Sequence, residues 1–169
     1  MPEKRTLERA QRDRRQGKAA STQAGEFIRE EMDHIREGKH GARSAKQAIA
    51  IGLSKARRAG VELRPPRNAA ASKQTRQRAA RDYAVGHGAP KRKRTSTAKR
   101  SRASLRAMRR ERTDTVSHAA LASQARSAAR RRTPAQRSAA ARKAVRTKGP
   151  ARRSAAARKG AQSRAQHRA

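Results

Sequence analysis

Residues 38–60 read GKHGARSAKQAIAIGLSKARRAG, and the way this stretch starts and stops decides the fold. Ser44 followed by Gln47 is a capping box: the hydroxyl accepts from the third helical amide while the glutamine side chain reaches back to the cap. The spacing therefore predicts a helix from Ala45, with Ala45, Ile49, Gly52, Leu53 and Ala56 on one face. Gly60 ends it near Ala59, because glycine enters the left-handed region at little steric cost. The opposite face carries Gln47, Ile51, Lys55 and Arg58, a basic stripe suited to an acidic ligand.

Working upstream, the run from Gln23 to Glu37 follows a Ser21-Thr22 cap and ends at Gly38, with Ala24, Phe27, Ile28, Met32 and Ile35 on one side. The short loop GKHGARS turns the chain back, which predicts a helical hairpin over 22–60. Its expected core is Phe27, Ile28, Met32, Ile35, Ile49 and Leu53, with Gly52 allowing close approach. The outer side of the first helix carries an acidic row, Glu26, Glu30, Asp33 and Glu37. Further upstream, Pro2 to Gln16 mixes acids and bases at helical spacing around a single apolar anchor, Leu7. Such ion pairs are too weak to hold a short helix alone, so this one depends on docking.

Pro65-Pro66 closes the region, since proline removes an amide donor and pushes its predecessor out of the helical basin. Charge divides at the same place: residues 1–66 hold 16 Lys and Arg against 9 Asp and Glu, whereas 67–169 hold 31 against 3. The expected organisation is a mixed-charge helical module over 1–66 and an Arg/Ala-rich basic arm over 67–169.

The arm is punctuated by helix signals. Ser72, Ser101 and Ser117 are candidate caps, and Thr133, Pro134 and Gln136 form a capping box with proline at the first helical position. Basic clusters occur at Lys91, Arg92, Lys93 and Arg94 and at Arg130, Arg131 and Arg132. RSAAARK occurs twice, at 137–143 and 153–159, placing Arg142, Lys143, Arg158 and Lys159 at matching positions. Alanine and arginine favour helix, but unneutralised repulsion and the lack of apolar anchors predict an arm that is largely disordered alone, with short conditional helices. The fold class is thus all-α: a small hairpin of two or three helices, then a basic arm.

A net charge of +35 with aromatic residues at 1% excludes most classes of protein and points to a polyanionic partner, nucleic acid first. Cysteine is absent, which removes disulfides, zinc knuckles and thiolate chemistry. The N-terminus lacks the apolar core of a secretory signal, and no run approaches the roughly 20 apolar residues of a membrane span. The expected location is cytoplasmic.

Glu30 and His34 lie one turn apart with Glu37 and His40 nearby. With no second HxxxH or CxxC to complete a ligand set, they read as a solvated helix face without metal. GKHGARS lacks the GK[ST] ending of a nucleotide-binding loop, and no Ser/His/acid set can be assembled. No cofactor and no catalysis are expected. The loop does supply Lys39, His40 and Arg43 just before a helix N-terminus, a candidate seat for a phosphate.

The block STQAGEFIREEMDHIREGKHGARSAKQAIAIGLSKAR at 21–57 resembles that of an uncharacterised bacterial family of short basic proteins, which carry it ahead of an Arg/Ala-rich tail and are commonly labelled DNA-binding. SRASLRAMRRE and SQARSAARRR resemble the family more weakly. The tail is similar to linker-histone tails in composition only, favouring arginine over lysine. The resemblance implies a nucleoid-associated protein.

Together these features predict a protein that coats or bridges duplex DNA without sequence preference, with the hairpin setting geometry or homo-oligomerisation. An RNA- or ribosome-associated role is the alternative, although only Phe27 and Tyr83 could stack on bases. A third reading is self-assembly, with the acidic row docking a basic segment of the arm or of another copy.

Overall fold

A computed structural model describes residues 2–66, 71–90 and 98–166. Its described residues form helices and connecting loops with no strand: α1 Lys4–Arg15, α2 Ala20–Arg36, α3 Ala45–Arg58, α4 Lys73–Gly86, α5 Ala98–Arg109, a 3-10 turn Asp114–Val116, α6 His118–Arg130 and α7 Pro134–Gln166. The chain divides into two compact units, the first ending at Gln124 and the second starting at Ala125.

In the first unit, α2 packs on α3, α1 packs on α2, and α4 packs on α3. The cap forms where the sequence predicts, with Ser44 Oγ accepting from Gln47 N at 3.3 Å, but Gln47 Oε1 reaches one residue past the cap and accepts from Arg43 N at 3.0 Å. The α2 start differs, because the helix begins at Ala20 without a side-chain cap, so that Ser21 and Thr22 lie inside its first turn.

The buried face of α3 is made of small residues, Ala45, Ala48, Gly52 and Ala56. A Cβ on Gly52 would lie 2.7 Å from Ile28 Cα. At that separation backbone meets backbone and no volume remains for large side chains. This corrects the expected core: Ile28 and Ile49 are only half-buried and belong to neither apolar cluster. The apolar volume lies to either side of the crossing. One cluster gathers Ala10, Ala24, Phe27, Ala56 and Val61 with Leu7, Leu53 and Leu63 against it, where α1 docks. The other gathers Ile35, Ala42, Ala48 and Val116 with Met32 against it. Phe27 thus clusters with Ala56 on one side of the crossing and Ile35 with Ala48 on the other.

The expected boundary at Pro65-Pro66 does not end the first unit. α4 is fixed to α3 by Asp82, whose Oδ1 accepts from Arg58 Nε and whose Oδ2 accepts from Ser54 Oγ, both at 2.6 Å. Val116 is fully buried beside Ile35. The chain also returns to the 38–44 loop, where Met108 O accepts from Gly41 N at 2.9 Å and Arg112 O accepts from Ala42 N at 3.0 Å. Asp82, Glu111 and Val116, with the Met108 and Arg112 carbonyls, are what tie this part of the arm to the module.

The arm is also more helical than its charge predicts. Ser72, Ser117 and the Thr133–Gln136 box cap helices as expected, the last with both reciprocal bonds at 3.2 Å. α5 starts at Ala98, before the Ser101 signal. In the second unit, α7 is interrupted at Gly149 (φ 66°, ψ 170°) and resumes at Pro150.

Candidate nucleic-acid interface

The candidate cations fall into two groups that differ in what surrounds them. The group around residues 38–58 is engaged with carboxylates. Lys55 does not face outward; its Nζ lies 2.6 Å from Glu31 Oε2 and 3.3 Å from Glu30 Oε1. Burial works against the charge on this lysine, but Glu31 and Glu30 outweigh it and hold the ammonium above its ordinary range. Arg58 is paired with Asp82. Lys39 lies 2.8 Å from Glu37 and 3.6 Å from Glu3, and Glu37, ahead of Glu3, holds it above the usual lysine value. His40 Nε2 is 3.2 Å from Glu31 Oε1, and Arg43, with its side chain 81% exposed, is 3.5 Å from Glu111.

The proposed phosphate seat is occupied by the protein itself. Ser44 takes the Gln47 amide, and the Gly41 and Ala42 amides go to the 108–112 backbone. A Cβ on Gly41 would lie 2.0 Å from Glu111 O. The close approach that glycine permits here serves the chain's own fold. Lys39, His40 and Arg43 are therefore gathered at one loop, as the sequence predicts, but they face carboxylates.

The acidic row has partners within the first unit. Glu26 meets Arg9 and Arg29 at 3.7 and 3.8 Å, Asp33 meets Arg36 at 3.3 Å, and Glu37 meets Lys39. Glu30 is only 5% exposed and its Oε2 accepts from Glu3 N at 3.1 Å. The row is thus partly internal, which corrects its reading as an outer face. Sequence reading also missed Glu31, the most deeply buried acid. The sequence offered no signal for it, because Glu30 beside it is buried as well and two neighbouring acids on a helix read as a polar face.

The second group lies in the arm. Lys91, Arg92, Lys93 and Arg94 are outside the described residues. Arg130 ends α6, Arg131 and Arg132 follow it, and Arg142, Lys143, Arg158 and Lys159 stand on α7, all exposed. Residues 125–169 contain 15 Lys and Arg and no Asp or Glu, so no carboxylate side chain within this unit can neutralise them. With no apolar stripe, α7 carries these charges all round.

Sequence reading missed a third cluster altogether. Tyr83 and His87 stack on α4 with ring centroids 4.0 Å apart. Glu62 accepts from the Tyr83 hydroxyl and meets His87 Nε2, each at 2.7 Å. The i, i+4 spacing of Tyr83 and His87 was the available signal. Among the described residues, no helix is long and apolar enough to cross a membrane. No protein-family model matches the chain, and neither a curated protein nor a solved structure matches it.

Proposed function

We propose that the protein binds duplex DNA without sequence preference, coating or bridging it through the region from Ala125 onward, as a nucleoid-associated protein would. The observation that carries this reading is the contrast in pairing. In the first unit the acids hold cations within the fold, whereas 15 bases of residues 125–169 have no acid among them. Unpaired cations release counterions when they meet phosphates, and that release is the main source of affinity in non-specific binding.

The distribution of charge around α7 suits bridging. A helix with cations on one face serves one duplex; a helix with cations all round can lie between two. Its helicity is conditional in this reading, because an exposed helix with no packed face gains most once phosphates neutralise its repulsion. The helical pair α2–α3 serves as a folded platform and not as the binding surface, since Lys55 and Arg58 are engaged internally.

Titration of the full chain with duplexes of unrelated sequence tests the proposal. Equal affinities are expected, falling roughly 10³- to 10⁵-fold between 50 and 200 mM salt if about 6 to 10 phosphates are contacted. A strong preference for one sequence, or a shallow salt dependence, would overturn it. Preferential recovery of ribosomal RNA after crosslinking in cells would assign the same cations to RNA instead.

A further inference from the structure

We propose that Glu31, His34 and His40 form a binding site for a single Zn²⁺ ion. Each offers one ligand atom, and these atoms lie within 4.8 Å of one another. Glu31 and His34 share one turn of α2, and the 38–44 loop brings His40 back over them.

The state of Glu31 supplies the second, independent observation. The residue is 0% exposed, and neither of its carboxylate oxygens has an aligned hydrogen bond. Lys55 stands at ionic distance from Oε2, which leaves Oε1 facing His40 Nε2 at 3.2 Å. The tautomer of His40 then matters. Its Nδ1 lies 3.1 Å from Gly41 O, and a carbonyl can only accept, so Nδ1 carries the proton. In the neutral ring Nε2 is then a lone pair directed at a buried carboxylate oxygen. That arrangement repels unless a cation stands between the two atoms.

His34 has the same organisation. Its Nε2 lies 2.8 Å from Glu3 Oε1, a carboxylate that accepts from Nε2–H, so in the neutral ring Nδ1 is the free lone pair. A carboxylate or carbonyl behind each imidazole is the arrangement that orients histidine ligands and raises their basicity. Charge favours a cation too: Glu30 and Glu31 face Lys55, while Lys39 is shared between Glu3 and Glu37, four carboxylates against two lysines.

Two imidazoles and one carboxylate suit Zn²⁺, with water as the fourth ligand. Tetrahedral coordination at about 2.0 to 2.2 Å would draw the three ligand atoms closer by side-chain rotation. The ion would tie the 38–44 loop to α2 in a unit whose apolar core is small. Glu31, and not the Glu30 of the sequence pattern, is the carboxylate that meets the two histidines.

The test is titration of the metal-free full chain with Co²⁺, followed by displacement with Zn²⁺. One equivalent of Co²⁺ should give the visible ligand-field bands of a four-coordinate site, and one equivalent of Zn²⁺ should remove them and raise the thermal midpoint. His34→Gln and His40→Gln should each weaken binding by about 100-fold or more, and Glu3→Gln by about 10- to 100-fold. A chain carrying His87→Gln, His118→Gln and His167→Gln together should bind as the parent does. In the unaltered protein, Zn²⁺ should shift the imidazole NMR signals of His34 and His40 and not those of the other histidines, a readout that needs no variant to fold. Absence of the bands, their persistence in the doubly substituted His34→Gln, His40→Gln chain, or shifts confined to the other three histidines would overturn the site. An NMR signature of a permanently protonated His40 that Zn²⁺ does not alter would assign the cation between His40 and Glu31 to a proton.

Discussion

The two units of this chain are built from similar residues and use them in opposite ways. Residues 1–124 hold 32 Lys and Arg and all 12 Asp and Glu, whereas residues 125–169 hold 15 Lys and Arg and no acid. In the first unit eleven of the twelve acids lie within salt-bridge distance of a described basic or imidazole group. They join α1 to α2, α2 to α3 and α3 to α4. In the second, cations have no such partner within the unit. A basic protein can thus spend arginine and lysine on its own architecture or leave them for an external polyanion, and acid content decides which.

Lys55 carries the largest expected effect. Replacing it with methionine keeps the volume but leaves Glu30 and Glu31 buried without their lysine, and breaking a buried pair costs about 3 to 5 kcal/mol. Thermal unfolding followed by circular dichroism should show the first unit destabilised by that amount. An unchanged midpoint would mean that Lys55 does not neutralise these carboxylates.

Gly52→Ala should have the next largest effect. The added methyl would meet Ile28 Cα at 2.7 Å, and overpacking of this kind costs about 1 to 3 kcal/mol. The same substitution at Gly160, where only the Arg164 guanidinium approaches, should leave the stability of the first unit unaltered. Equal effects at the two glycines would contradict the close α2–α3 approach.

Why was so much of the first unit legible in the sequence, and so little of its chemistry? The α3 limits followed from Ser44, Gln47 and Gly60, because caps and stops are local and act through neighbouring backbone atoms. The apolar face was only half legible. Ile28 and Ile49 were expected inside because periodicity ranks residues by hydrophobicity, whereas Gly52 brings the backbones so close that the apolar volume lies to either side of the crossing. The link from the 38–44 loop to 108–112 is a pairing of backbone groups about 70 residues apart, and side-chain pattern does not encode it. For the candidate interface, the charge imbalance was visible at once. The internal use of Lys39, Lys55 and Arg58 was not, since charge counts do not say which acids lie opposite.

The smallest expected effect concerns Tyr83, the single tyrosine of a chain without tryptophan and hence its own fluorescent probe. Donation to the Tyr83 carbonyl, then to Glu62, holds the His87 pKa above its ordinary 6.5. Its contribution to stability is therefore complete below about pH 6.5 and is lost as the pH rises through the raised value. The Tyr83 hydroxyl and then His87 hold Glu62 below 4.5, so its contribution is present above that value and is lost as the pH falls through the lowered one. α4 should be held best between about pH 4.5 and 6.5. Tyr83 emission should change on either side of this window, and His87→Gln should remove the alkaline step alone. A single step unaffected by His87→Gln would contradict the cluster.

The central claim is that residues 125–169 supply the cations that neutralise phosphates. Its most direct test compares the full chain with a chain ending at Gln124, measuring duplex affinity across a salt series. The slope of log affinity against log salt becomes shallower by about 0.9 for each phosphate that is no longer neutralised. Removal of residues 125–169 should therefore make the slope shallower by several units and weaken binding at 150 mM salt by about 100-fold or more, while circular dichroism shows the first unit still folded. An unchanged slope in the shortened chain would place the phosphate-binding cations in the first unit and contradict the account.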